Sequence, residues 1–204
     1  MFMCCVPSCS SLEAKPDDMA SNIFTWPYDE VDFVRATFTV PLVRESARVP
    51  WGLEFDTPAS GNIYIRAIEG GSVAHDYNEV ASEDQRILPH DCIVSVDGQM
   101  DMPVMLGSLL NRTSVVLELK RPQIFDQIVP KSRRGKPLGM TLEMSRVTLS
   151  VTGIEEDSSV RSSRADVAVG DLIVAVNGRC GEAPELLSDV KTCEAPVLTI
   201  VRVC

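Results

Sequence analysis

The stretch DLIVAVNGR, Asp171 to Arg179, has a near copy in DCIVSVDGQ, Asp91 to Gln99, 80 residues earlier. Both begin with Asp, run through Ile-Val-x-Val and end on Asn-Gly or Asp-Gly before the last residue. Neither alternates cleanly between apolar and polar residues. Cys92, Ile93, Val94 and Val96 in one copy, and Leu172, Ile173, Val174 and Val176 in the other, predict a mostly buried strand. Asp97-Gly98 and Asn177-Gly178 then predict a turn, because these residue types tolerate positive φ.

The neighbours repeat as well. Upstream lie VPWGLEF (Val49 to Phe55) and KPLGMTL (Lys136 to Leu142), each with Pro, a large apolar residue, Gly and then a strand pattern. A second β-rich run follows each, at 62–68 and 147–154. After each Asp-to-Gly stretch comes a short helical pattern, Pro103 to Leu110 and Ala183 to Lys191. Pro103 and Pro184 sit near the helix starts, where a missing N–H costs nothing. Each copy closes on a strand, Ser114 to Lys120 and Pro196 to Arg202. The loop glycines, 52 and 139, are 87 apart, whereas the turn glycines, 98 and 178, are 80 apart. That difference is assigned to a longer hairpin, DTPASGN, and to an insertion within HDYNEVASEDQRILPH, since connecting loops vary in length between copies of one fold. The expected organisation is an N-terminal tail over 1–35 that is largely linker, a first module over 36–121 and a second over 122–204. KRPQIFDQIVPK leads directly from one closing strand into the next opening strand.

Composition agrees. A chain of 204 residues, 45% apolar, has room for two small cores. It contains no run of about 18 apolar residues of the kind that spans a bilayer as a helix. A net charge of −10 argues against non-specific nucleic-acid binding. The seven cysteines, an odd number without regular spacing, make a poor disulfide framework. With no secretory signal pattern at the start, a reducing, cytoplasmic setting is expected.

Two units with a Φ-Gly-Φ loop, a strand pair, a D-x-I-x-x-V-[ND]-G strand and turn, a late helix and a closing strand resemble tandem PDZ domains. The second unit, with PLGMTL and GDLIVAVNG, is the cleaner match. The first departs at Trp51-Gly52-Leu53 and at His90-Asp91-Cys92. The resemblance implies a mainly β fold with short helices: two partly open β-barrels or sandwiches in tandem. It also implies a groove between the second strand and the late helix, where an extended peptide adds as one more strand. The peptide's terminal carboxylate would rest on backbone N–H groups of Trp51, Gly52 and Leu53 in the first module, and of Leu138, Gly139 and Met140 in the second. Phe55, Met102 and Leu106 would line the first pocket; Leu142, Ala183 and Leu187 the second. Arg48, Arg134 and Lys136 would support the carboxylate. An apolar residue at the helix start, Met102 or Pro103 in the first module and Ala183 in the second, instead of the family's His favours ligands ending Φ-x-Φ.

The expected function is therefore a non-catalytic adaptor or scaffold for the C-terminal tails of other proteins, membrane proteins among them. The alternative is an assembly protein whose PDZ-like units are degenerate, packed together or self-occluded, for instance by the segment Val201 to Cys204 of another copy. No cofactor or metal is expected: His75 and His90 lack ligand spacing, and no Gly-x-Ser-x-Gly, HExxH or phosphate-loop pattern occurs. Cys92 reads as a core thiol. The tail keeps two readings. Acylation of Cys4, Cys5 and Cys9 would attach the chain peripherally to a membrane; otherwise the tail is a linker that carries cysteines. Trp26, Tyr28 and Phe33 are expected to pack on the first module.

Overall fold

The computed structural model describes residues 37–58, 61–131 and 137–203. Cys4, Cys5, Cys9, Trp26, Tyr28, Phe33, Arg134, Lys136 and Cys204 lie outside them.

The first sheet holds β1 (Thr37–Val43), β2 (Leu53–Asp56), β3 (Ile63–Ile68), β4 (Cys92–Val96) and β5 (Ser114–Lys120), in the antiparallel order β1-β5-β4-β3-β2. Its helices are α1 (Val73–Val80) and α2 (Met102–Asn111). The second sheet holds β6 (Gln123–Ile128), β7 (Met140–Met144), β8 (Leu149–Ile154), β9 (Leu172–Val176) and β10 (Val197–Arg202), in the order β6-β10-β9-β8-β7, with α3 (Ser159–Ser162) and α4 (Ala183–Thr192). The topology is the same twice.

The Asp-to-Gly stretch is built the same way in both sheets. Asp97 and Asn177 sit at φ 51° and 53°. Their N–H groups donate to Val116 O (2.8 Å) and Val197 O (2.7 Å). Their side-chain oxygens accept back from Val116 N (2.8 Å) and Val197 N (2.9 Å). The side chain thus completes a turn that the backbone begins, and short Asp or Asn suits it. At the head of the stretch, Asp91 and Asp171 are buried. Each carboxylate accepts one backbone N–H, from Leu88 (2.8 Å) or Ala168 (2.7 Å). Each also pairs with an Arg just after or at the end of the closing strand, Arg121 at 3.2 Å and Arg202 at 2.7 Å. Each guanidinium lies over a ring of the opening strand, Phe38 or Phe125, at 4.9 Å.

Burial on two sides explains the broken alternation. Ile93 and Val96 face the first core, and Ile173 and Val176 the second. Cys92, Leu172 and Val174 turn the other way and join Tyr64 and Val201 in a third buried cluster, with Ile124 and Val203 packed on it. That cluster joins the two sheets, which fall in one compact unit. Only Arg121 and Pro122 separate β5 from β6.

Two expectations need correction. The segment read as a loop insertion contains most of α1, whose N-cap Ser72 Oγ accepts from His75 N at 3.3 Å and whose Ala74 is fully buried. Its counterpart α3 is capped in the same way by Ser158, which accepts from Arg161 N at 3.2 Å, but has four residues instead of eight. Much of the length difference is therefore helix. The segment from Val201 is also not a tail available to another copy: Val201 is a buried residue of β10, and Val203 packs on the cluster between the sheets.

Candidate functional site

In the second module a cleft of about 240 Å³ opens between β7 and α4. Leu138, Met140, Leu142, Leu187 and Val190 give it apolar walls, and Pro137, Lys131 and Lys191 complete its rim. The residues named from sequence as Leu138, Met140, Leu142 and Leu187 therefore meet in one place. Ala183 does not join them. It is fully buried: its N–H donates to Arg146 O at 3.1 Å and its methyl packs into the second core.

Gly139 heads this cleft at φ +73°. A Cβ there would lie 2.4 Å from Ser158 Cβ and 2.9 Å from Ser158 Cα, so the loop lies directly against the cap of α3. That cap orients the loop. Leu138 O accepts from Ser159 N (3.1 Å) and Val160 N (3.4 Å), and Gly139 O accepts from Glu155 N (2.9 Å). In a trans peptide the N–H points opposite to the C=O. The Gly139 N–H therefore points away from α3, and the Met140 N–H away from the end of β8.

The first module repeats this loop. Gly52 has φ +76°, and a Cβ would meet Ser72 Oγ at 1.9 Å. Trp51 O accepts from Ala74 N (3.0 Å) and Gly52 O from Glu69 N (2.8 Å). The space beside the loop is used differently. Trp51 is 5% exposed, and its indole N–H donates to Leu109 O at 2.7 Å, linking the loop to α2. The Arg44 guanidinium lies 4.2 Å from the indole ring. It donates to Val49 O (2.9 Å), Leu109 O (3.1 Å), Leu110 O (2.8 Å) and Arg112 O (2.8 Å), so its charge is spent on carbonyls at the C-terminal end of α2. Leu53, Phe55, Met102 and Leu106 are half-buried against the first core.

Lys131 occupies the matching place in the second module. Its backbone N–H donates to Glu194 O and its ammonium to Lys191 O at 2.6 Å, as Arg44 donates to Thr113 O and Leu110 O. Sequence reasoning named Arg48, which is exposed, and Arg134 and Lys136, which lie outside the described residues, and assigned neither Arg44 nor Lys131 to this place. The signal was present: Arg44 and Lys131 each stand eight residues before the loop glycine, 52 and 139.

Strand order, a capped helix after the third strand and a late helix beside the second, all present twice, make this a tandem PDZ-like fold. No protein-family model matches the chain, and no curated protein does. Among solved structures, it is similar at 16% identity and a TM-score of 0.33 to "Structure of INAD PDZ45 in complex with NG2 peptide", with 87% of this chain and 94% of that one covered. It is similar at 15% identity and a TM-score of 0.34 to "Complex structure of INAD PDZ45 and NORPA CC-PBM", covering 82% and 91%.

Proposed function

We propose that this chain is a non-catalytic adaptor that binds the C-terminal tails of other proteins in the cleft of its second module. The observation that carries the reading is the Leu138–Met140 loop: the Gly139 N–H is turned from α3 and the Met140 N–H from the end of β8, at the head of an apolar cleft beside β7, which is an edge strand among the described residues. A peptide adds to β7 by main-chain hydrogen bonds, its carboxylate takes the N–H groups of Gly139 and Met140, and its last side chain enters among Leu138, Leu142 and Leu187. Lys131 adds positive charge at that end. The apolar walls favour ligands with an apolar last residue, with affinity on the order of micromolar.

The first module supports a second, complementary reading as an assembly element, carried by the Trp51–Leu109 bond across the position where the second module is open. An array of C-terminal peptides probed with the full chain tests both. Binding that needs a free carboxylate and is lost in Leu187→Glu, but kept in Leu106→Glu, is expected. Loss in Leu106→Glu alone moves the site to the first module, and no binding by the folded chain leaves the assembly role.

A further inference from the structure

The turn between β7 and β8, Ser145–Thr148, touches three parts of the molecule. It closes on itself, with Ser145 N donating to Thr148 O at 3.0 Å and Thr148 N donating to Ser145 Oγ at 3.1 Å. Arg146 O accepts the N–H of Ala183, the first residue of α4, at 3.1 Å. From the first module Asp56, the last residue of β2, reaches the same turn. One carboxylate oxygen accepts from Ser145 Oγ and from Thr148 Oγ1, each at 2.9 Å. Asp56 is 8% exposed and Thr148 5%, so water competes little for these bonds.

The turn therefore holds the end of β7 and the start of α4 together, at the opposite end of the cleft from Gly139. These are the two walls between which a peptide strand must fit. We propose that Asp56 is a positioning residue for the second module's cleft: through this carboxylate the first module fixes the spacing of β7 and α4, and with it the grip on the upstream residues of a bound peptide. The inference rests on the peptide-groove reading above. Its physical basis is preorganisation, because a wall already held in place loses less freedom when the ligand binds. It gives the first module a part in recognition even though its own loop is bridged to α2 by Trp51.

The test uses the full chain, with Asp56→Ala, Asp56→Asn and Thr148→Val, the last removing a hydroxyl at nearly constant shape. Amide hydrogen exchange is read residue by residue. Binding is read by fluorescence anisotropy with a labelled octapeptide ending Val-Lys-Val and a free carboxylate. Asp56→Ala, which removes both hydroxyl bonds, is expected to speed exchange at Ala183 and over Met140–Met144 by at least about tenfold and to weaken the peptide by about fivefold. Asp56→Asn keeps an acceptor oxygen and recovers most of both effects; Thr148→Val reproduces part of them. Unchanged exchange at Ala183 and β7 overturns the proposal. So does a uniform rise across both sheets, which marks a merely structural residue. If the unaltered chain ignores the peptide, the groove reading fails, while the exchange pattern still decides whether Asp56 holds the walls.

Discussion

Gly139 is held by two independent constraints, the positive φ and the contact with Ser158. Gly178 has a similar φ of +71°, but among the described residues nothing lies within 4 Å of where a Cβ would stand. Gly178→Ala is therefore expected to cost about 1 kcal/mol from conformation alone, and Gly139→Ala at least about twice that, because Ser158 or the loop must also move. Urea unfolding of the full chain measures both. Cys92 shows what burial does to a single thiol. Desolvation between the sheets pushes its pKa up to about 11, and the nearby Lys120 charge only partly offsets this. It should react with a thiol reagent at pH 8 only as fast as the chain opens; reaction at the rate of an exposed thiol would contradict the buried cluster. At this scale the sequence is readable where a residue acts on its own turn, as Asp97 and Asn177 do. Arg44 and Lys131 were harder to see because their partners are backbone carbonyls, which carry no residue label; only the repeated eight-residue spacing marks them.

Among the elements, the Phe–Arg–Asp arrangement ties an opening strand, a closing strand and the Asp-to-Gly strand together in each sheet. Asp171 is 1% exposed and receives Ala168 N and the Arg202 guanidinium, so Asp171→Ala orphans the Ala168 N–H and leaves Arg202 only its exposed partner, Asp166, at 3.0 Å. A loss of about 3 kcal/mol is expected. Glu54→Gln, which removes the exposed partner of Arg66, should cost less than about 1 kcal/mol. Equal losses in calorimetry would show that burial does not separate the two pairs. The strand, turn, late helix and closing strand were legible in the sequence because each has a local period or punctuation. α1 was not: its apolar positions Val73, Ala74 and Tyr77 span little more than one turn, too short for a helical period to show. The cleft walls were legible as alternating apolar positions on β7 and α4, but the inward turn of Ala183 depends on Arg146, 37 residues away in sequence.

For the whole molecule, the cluster of Tyr64, Cys92, Leu172, Val174 and Val201 makes the two sheets interdependent. Cutting the chain at 121 would expose Leu172, Val174 and Val201 on the second module. The separated module is expected to unfold at lower urea than the intact chain and to be the more prone to associate; equal midpoints would contradict a shared core. This joint was hinted at by a strand too apolar to have a wet face, yet the Asp56 contact to Ser145 and Thr148 was not, because it crosses about 90 residues of chain. Stability should also fall on mild acidification. Burial lowers the pKa of His90, with the Asp56 charge opposing that shift. In the unfolded chain the imidazole takes its proton near the ordinary value of about 6.5. As pH drops through that value the unfolded state binds the proton first, and stability declines until the lower folded pKa is reached. His90→Gln should flatten this part of a pH–stability profile.

The most direct test of the central claim is a residue-resolved NMR titration of the full chain with an octapeptide ending Val-Lys-Val and a free carboxylate. The amide signals of Gly139 to Met144 and of Leu187 to Lys191 should move saturably, those of Trp51 to Asp56 should move far less, and the amidated peptide should move none. Saturable shifts centred on Trp51 to Asp56, or no carboxylate-dependent shifts in either module, would contradict the account.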